Sequence, residues 1–181
     1  MKDAVSELKV QAELLHRAVV ANDPAALARL RGLRELRKAE PDELRRAAGS
    51  IQRKHCLATV ALEHGFASWE HARQVLTGGD SDEGFGKLLA GQGRGAFLNH
   101  WFSTYEEARA VHLDLRATAG TRYLLAFQRQ CFITEAGYIE ALGLDPEDTD
   151  WRSIDWDWVR PRSMAARGRL YAKLVGQRRA A

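Results

Sequence analysis

The feature that most constrains the fold is a ten-residue stretch at 63–72, EHGFASWEHA, that lies between two amphipathic runs. Gly65 stands where a helix commonly ends in a left-handed residue, so we expect a positive φ there. Phe66 follows at the position from which an apolar side chain packs back on the last turn. Ser68 is a favourable N-cap for a helix that opens at Trp69. The stretch therefore predicts a sharp helix–turn–helix corner.

The same corner has a DNA-binding version, with its own requirements. It needs a small residue four positions before the glycine, which Ala61 supplies. It also needs apolar residues directly before the glycine and six and nine positions after it, where His64, His71 and Gln74 stand. Because three core positions are polar, the pattern favours a packing corner over a DNA-reading one.

Helical signals continue towards the N-terminus. Residues 3–20 carry apolar side chains at steps of three and four, which is typical of an amphipathic helix. Pro24 follows Asp23, and Pro41 follows Glu40, so each proline stands at the first position of a capped helix. Residues 1–77 are therefore predicted to form a helical domain.

Glycine dominates the next segment: seven of the fifteen glycines lie between residues 78 and 95. Glycine loses the most backbone entropy on ordering, which favours a flexible linker at 78–95 between the N-terminal domain and a C-terminal helical domain at 96–181. The string GQGRGA at 91–96 has neither the spacing nor the lysine–serine pair of a phosphate-binding loop.

The C-terminal half begins with a helix that Ser103 or Thr104 can cap. Residues 122–134 fit two periodicities, a buried helix or a strand. No Asn-Gly or Asp-Gly pair marks a tight turn within them, which favours a helix and leaves a short β-hairpin as the alternative. The predicted fold is mainly α, with two small helical units.

Two stretches, LHRAVVANDPAALARLRGL and CLATVALEHGFASWEHARQVL, resemble the helical segment that precedes the repeats in many bacterial ankyrin-repeat proteins. The resemblance covers residues 5–77, but no repeats of about 33 residues follow them. It implies a bacterial helical interaction module and no activity. The matching positions are Asn22, Asp23, Pro24, Ala26, Leu27, Ala61, Gly65, Phe66, Ser68 and Trp69.

Composition and charge limit the function classes. Charged residues make up 28% of the chain, and no apolar run reaches the ~18 residues of a membrane helix. Without an export signal, Cys56 and Cys131 are expected to be reduced thiols in a cytoplasmic protein. The histidines, cysteines and carboxylates lack the spacing of a ligand set, so no metal and no cofactor are expected.

Aromatic and histidine side chains supply the candidate binding residues. His100 and Trp101 form an unusual cluster, NHWF, and an enzyme site around His100, His112 and Tyr123 is one alternative. The simpler interpretation is that these side chains form a polar rim on an aromatic core and have no catalytic role. Trp156 belongs to three Asp-Trp pairs that either close the core or form an exposed platform for a partner.

The charge distribution raises a further alternative. Residues 79–150 carry a net charge of −6 and residues 151–181 carry +6. The basic C-terminal helix can bind nucleic acid or pair with the acidic middle segment, and we favour pairing because its arginines follow no single stripe. The leading hypothesis is a non-catalytic protein-interaction module. The nucleic-acid alternative rests on Arg160, Arg162, Arg167, Arg169 and Lys173.

Overall fold

Helices make up most of the computed structural model, which describes residues 3–79, 81–90 and 97–177. A small three-stranded antiparallel sheet completes it, so the predicted mainly α fold is confirmed. None of the described helices is long and apolar enough to cross a membrane. The elements are α1 (Ala4–Val20), α2 (Pro24–Arg29), α3 (Pro41–Ala47), α4 (Arg53–Glu63), α5 (Trp69–Thr77), β1 (His100–Phe102), α6 (Tyr105–Thr118), β2 (Tyr123–Phe127), β3 (Gln130–Thr134), α7 (Ala136–Ala141), α8 (Thr149–Ser153) and α9 (Met164–Gln177).

The corner between α4 and α5 forms as predicted. Gly65 has a φ of 83°, and the Phe66 N–H donates to the carbonyl oxygen of Ala61 at 3.0 Å, which is the Schellman arrangement. The Ser68 hydroxyl accepts from the His71 N–H at 3.0 Å and caps α5. Phe66 is buried in the core. The corner therefore joins two packed helices.

The glycine-rich segment differs from the expected flexible linker where the structure describes it. Leu88 and Leu89 are buried. The Lys87 N–H donates to Gly65 O at 2.8 Å, and the Tyr138 hydroxyl donates to Leu89 O at 2.8 Å. Residues 81–90 thus contact both halves of the chain. Residue 80 and residues 91–96, including the GQGRGA string, lie outside the described residues.

One buried hydrophobic cluster runs across the predicted division of the chain. It includes Leu8 and Leu15 of α1 together with Leu170 and Leu174 of α9. The Gln11 side-chain amide also donates to the carbonyl oxygen of Val175 at 3.3 Å. The two-domain organisation, with residues 78–95 as its linker, stays a prediction.

Residues 122–134 form a β-hairpin, so the favoured helical interpretation of this segment is wrong. β2 and β3 are antiparallel, and Phe127 pairs with Gln130 around a two-residue turn. The first turn residue, Gln128, has a φ of 53°, a conformation that usually calls for glycine or asparagine. The turn therefore lacks its common sequence signal.

The two faces of the sheet are covered differently. Tyr123, Leu125 and Phe132 face the main core, whereas Leu124 and Ile133 pack with α6 on the opposite face. The strand order is β1-β3-β2, which places β1 and β2 at the two edges.

The outer edge of β2 is covered at both ends. The Leu124 N–H donates to Trp156 O and the Trp158 N–H donates to Leu124 O, both at 2.9 Å. At the other end, the Gln128 N–H donates to Gly86 O at 2.7 Å. No strand of the described ranges pairs with the outer edge of β1.

Candidate functional site

The structure separates the three residues of the hypothetical enzyme site. His100 is exposed on β1, whereas His112 lies on the buried side of α6. Tyr123 is buried on the opposite face of the sheet and contacts Trp151 edge to face at 4.9 Å. A reaction site that uses all three side chains is therefore not assembled.

His112 has a structural hydrogen-bonding role. Its Nε2 lies 2.8 Å from the carbonyl oxygen of Arg122, and its Nδ1 lies 3.0 Å from Nη1 of Arg109. Because a guanidinium only donates, Nδ1 accepts and Nε2 carries the proton. Burial and the nearby arginine charges lower the pKa of His112, although the Arg122 carbonyl opposes them. The ring is thus a neutral connector between α6 and the start of β2.

Tyr123, a predicted binding residue, lies in the core rather than at the surface. Its hydroxyl donates to the carbonyl oxygen of Pro146 at 2.9 Å. Burial and the charge of Glu147 raise the pKa of Tyr123 to about 12. This side chain fixes the loop before α8 to the sheet.

The tryptophans of the Asp-Trp pairs close the core instead of forming a platform. Trp151 and Trp158 are fully buried, with ring centroids 5.4 Å apart. Trp156 is half-buried, and the Arg116 guanidinium lies 4.4 Å from its ring centroid. Trp156 thus has an intramolecular cation–π partner.

A cluster of arginines and aspartates holds this Trp156 turn. Asp155 accepts from Arg109 Nη2 at 2.5 Å and from Arg116 Nη1 at 2.7 Å. Burial works against its charge, but these hydrogen bonds outweigh burial and lower the pKa of Asp155. Both Asp155 and Trp156 are left-handed, with φ of 58° and 53°. Such strain persists only where surrounding contacts over-determine the backbone.

Asp157 extends the same cluster into the interior. It is buried, accepts from the Tyr105 hydroxyl at 2.7 Å, and receives the backbone N–H of Val159 at 3.0 Å. Burial and the hydrogen bond to Asp157 raise the pKa of Tyr105 to about 12. The cluster pairs its own charges and positions the turn that covers β2. Only the seven-residue spacing of Arg109 and Arg116 signals it in the sequence.

The basic helix pairs with the acidic segment, as favoured from the charge distribution. Arg169 Nη2 lies 2.5 Å from Asp150, and the Lys173 ammonium bridges Asp148 and Asp150. Burial opposes ionisation of Asp150, but the Arg169 and Lys173 hydrogen bonds outweigh it and lower the Asp150 pKa.

Of the other three predicted nucleic-acid-binding cations, two also face carboxylates and the third is buried. Arg160 Nη1 lies 3.1 Å from Glu106 Oε1, and the Arg160 guanidinium carbon lies 4.1 Å from the Tyr105 ring centroid. Arg162 is exposed and lies 3.6 Å from Asp155, while Arg167 is buried. These five side chains do not form a continuous unpaired cationic surface.

The described ranges contain neither an assembled metal site nor a reactive Cys131 thiol. No group of three or more histidine, cysteine or acidic side chains there is arranged to hold a metal ion. Cys131 is buried, and burial, aided by the charge of Asp157, raises the pKa of its thiol to about 11. A thiol with such a pKa is a poor nucleophile at neutral pH.

Two exposed apolar side chains remain on and just before β1, the strand with an unpaired edge. Trp101 stacks on Phe132 at 4.7 Å and contacts Phe127 edge to face at 5.9 Å, yet 43% of it is exposed. Leu98 precedes the strand and is 82% exposed. We name Leu98, His100, Trp101 and the outer edge of β1 the β1 edge site. Leu98 carried no signal in the sequence because its exposure is a tertiary property.

Comparisons with protein-family models, with curated proteins and with solved structures found no match to this chain.

Proposed function

We propose that this protein is a non-catalytic interaction module that binds an extended segment of another protein at the β1 edge site. The observation that carries the proposal is the juxtaposition of an open strand edge with Trp101, a large aromatic side chain fixed against Phe132. The bound segment adds a fourth strand next to β1 (strand addition).

Strand addition explains both components of the site. An edge strand presents backbone N–H and C=O groups that a partner strand can pair, and these hydrogen bonds supply sequence-independent affinity. Alternate side chains of the partner then face the same side of the sheet as Trp101. We infer a partner segment that alternates apolar and polar residues, with its apolar residues on the Trp101 face of the sheet.

The surroundings of the site favour binding without rearrangement. Trp101 is held by two ring contacts, so little side-chain freedom remains to be lost on binding. On the opposite face, Phe102 packs against the buried cluster that contains Ala108 of α6 and Ile133 of β3. The site is therefore a preformed surface that combines an apolar ring with strand-forming backbone.

The test uses peptides selected for binding to the full chain from a library of extended octapeptides with alternating apolar positions. Binding is measured by calorimetry with unmodified peptide and with two versions N-methylated at alternate residues. Strand addition uses every second peptide N–H, so one methylated version should lose binding and the other should retain it.

Two protein variants locate the interaction. Trp101→Ala should weaken binding about tenfold or more, as expected for an aromatic anchor. Leu113→Ala on α6, where 49% of the leucine is exposed, is the matched control and should leave affinity unchanged. Equal tolerance of both methylation patterns, or equal affinity of Trp101→Ala and the unaltered protein, would refute the proposal. Concentration-dependent dimerisation that Trp101→Ala abolishes would assign the edge to a second copy instead.

A further inference from the structure

A second candidate site lies between the glycine-rich segment and the start of α9. It is a cavity of about 350 Å³ near Gly78, Gly79 and Gly84, at the small end of the range for ligand pockets. Its apolar wall contains Val75, Phe85, Val159, Pro161 and Met164. Its polar lining residues in the described ranges are Ser81, Arg160 and Arg167, so the described side chains contribute positive charge and no carboxylate.

Arg167 distinguishes this cavity from the other surface depressions. Its side chain is 5% exposed, and no carboxylate of the described residues lies within salt-bridge distance. Its Nη1 donates to the carbonyl oxygens of Trp158 at 3.0 Å and Val159 at 3.4 Å. The Tyr171 ring lies 5.8 Å from the guanidinium carbon, at the outer limit of a cation–π contact. A buried charge costs free energy unless it is paired, and Arg167 has two carbonyls and a ring face but no anion among the described residues to pair with it.

The unused donors of the Arg167 guanidinium determine which kind of ligand it can bind. Nη1 is occupied, whereas Nε and Nη2 donate to no atom of the described residues. Nη2 borders the cavity, since a Cβ added at Gly78 would lie 3.2 Å from it. The Nε and Nη2 donors form the side of the fork that binds both oxygens of a carboxylate.

We propose that this cavity binds a small carboxylic acid with an apolar body, whose carboxylate pairs with Nε and Nη2 of Arg167. The apolar body packs against Val159 and Met164, while Arg160, which also lines the cavity, is already paired with Glu106. The glycines allow this arrangement, because a Cβ at Gly78 would lie 1.9 Å from the Met164 methyl carbon. This site is separate from the β1 edge site.

The chain provides a direct probe of the cavity. It contains two methionines, Met1 and Met164, so protein labelled with ¹³C at the methionine methyl groups gives two signals. Met164→Leu assigns them. Benzoate and hexanoate, titrated into the full-length protein, should shift the Met164 signal and leave the Met1 signal in place. Benzamide and hexanamide, which match them in size but carry no charge, should bind at least tenfold more weakly.

Variants then test the role of Arg167. Arg167→Met should weaken benzoate binding on the order of 10- to 100-fold, and Arg167→Lys should give an intermediate loss because it keeps the charge and loses the fork. Arg45→Met, which removes an exposed α3 cation, is the control and should bind as the unaltered protein does. If Arg167→Met does not fold, the comparison of carboxylates with carboxamides on the unaltered protein decides alone.

Three results would overturn the proposal. The first is no Met164 shift with either carboxylate up to ~10 mM, since weaker binding is not specific recognition. The second is equal binding of carboxylates and carboxamides, which would make the cavity merely apolar. The third is at least tenfold tighter binding of phenyl phosphate than benzoate, which would assign the cavity to phosphate monoesters.

Discussion

Gly65→Ala tests the packing of the corner against residues 81–90. Gly65 has a φ of 83°, and an added Cβ would lie 2.9 Å from Cβ of Lys87 and 3.0 Å from its carbonyl carbon. Gly120 also has a φ of 83°, but no atom of the described residues lies within 4 Å of its added Cβ. The two glycines therefore share the conformational penalty and differ in the steric one.

The expected magnitudes follow from this pair. Gly120→Ala should lower the free energy of unfolding by about 1 kcal/mol, the cost of placing a Cβ in the left-handed region. Gly65→Ala should lower it by about 2–4 kcal/mol, because overpacking against the Lys87 backbone adds to that cost. Any stiffening of the unfolded chain is similar in the two variants and cancels in their difference.

The assay is urea unfolding followed by tryptophan fluorescence and far-ultraviolet circular dichroism, with thermal melting as a check. In a chain of this length each 1 kcal/mol lowers the melting temperature by about 2–4 °C. Equal destabilisation by the two substitutions would show that Lys87 does not pack against the corner. Equal destabilisation would also favour the predicted flexible linker over a packed segment at residues 81–90.

Three further predictions concern the buried polar and thiol groups. The pKa of His112 is lowered by burial, so its contribution to stability is present above the unfolded value of about 6.5 and is lost as pH falls below it, by at most ~1.4 kcal/mol per pH unit. Urea titrations at several pH values should show this loss in the unaltered protein and a smaller one in His112→Gln. Asp155→Asn should destabilise the protein by about 1–3 kcal/mol at neutral pH, since it leaves Arg109 and Arg116 short of a charged acceptor, and the difference in unfolding free energy should vanish as acid protonates Asp155. An undiminished difference at pH ~2 would contradict that assignment. Cys56 and Cys131 are buried with raised thiol pKa values, so an aromatic disulfide reagent should label neither in the native protein and both after unfolding in urea.

Local chemistry explains which elements the sequence predicts well. The corner at Gly65 and Ser68 needs only neighbouring residues, because a left-handed glycine and a capping hydroxyl act within one turn. The caps at Asp23 and Thr104 formed for the same reason. The hairpin escaped prediction because Gln128 adopts a left-handed turn that the surrounding structure imposes, without the usual glycine.

Long-range contacts explain the remaining differences. Glycines at 84 and 86 indicated flexibility, but each stands where the chain passes close to another backbone, at Gln128 and at Gly65 respectively. The candidate sites depend on tertiary structure in the same way. The sequence marked Trp101 as an unusual aromatic, but only the fold shows that it belongs to a strand with an unpaired edge. In the sequence, Arg167 does not differ from the other basic side chains of α9, and only the fold shows that it is buried.

The unequal edges of the sheet limit how far any assembly through it can grow. Trp156, Trp158 and Gly86 already use hydrogen bonds at the β2 edge, so among the described strands β1 is the one that an added strand can join. Two copies that met through β1 would form one continuous sheet with three strands from each, and both of its outer borders would be β2 edges that are already covered. Such a contact closes on itself about a two-fold axis. The fold therefore permits capture of one strand while opposing the propagation that leads from exposed edges to fibres.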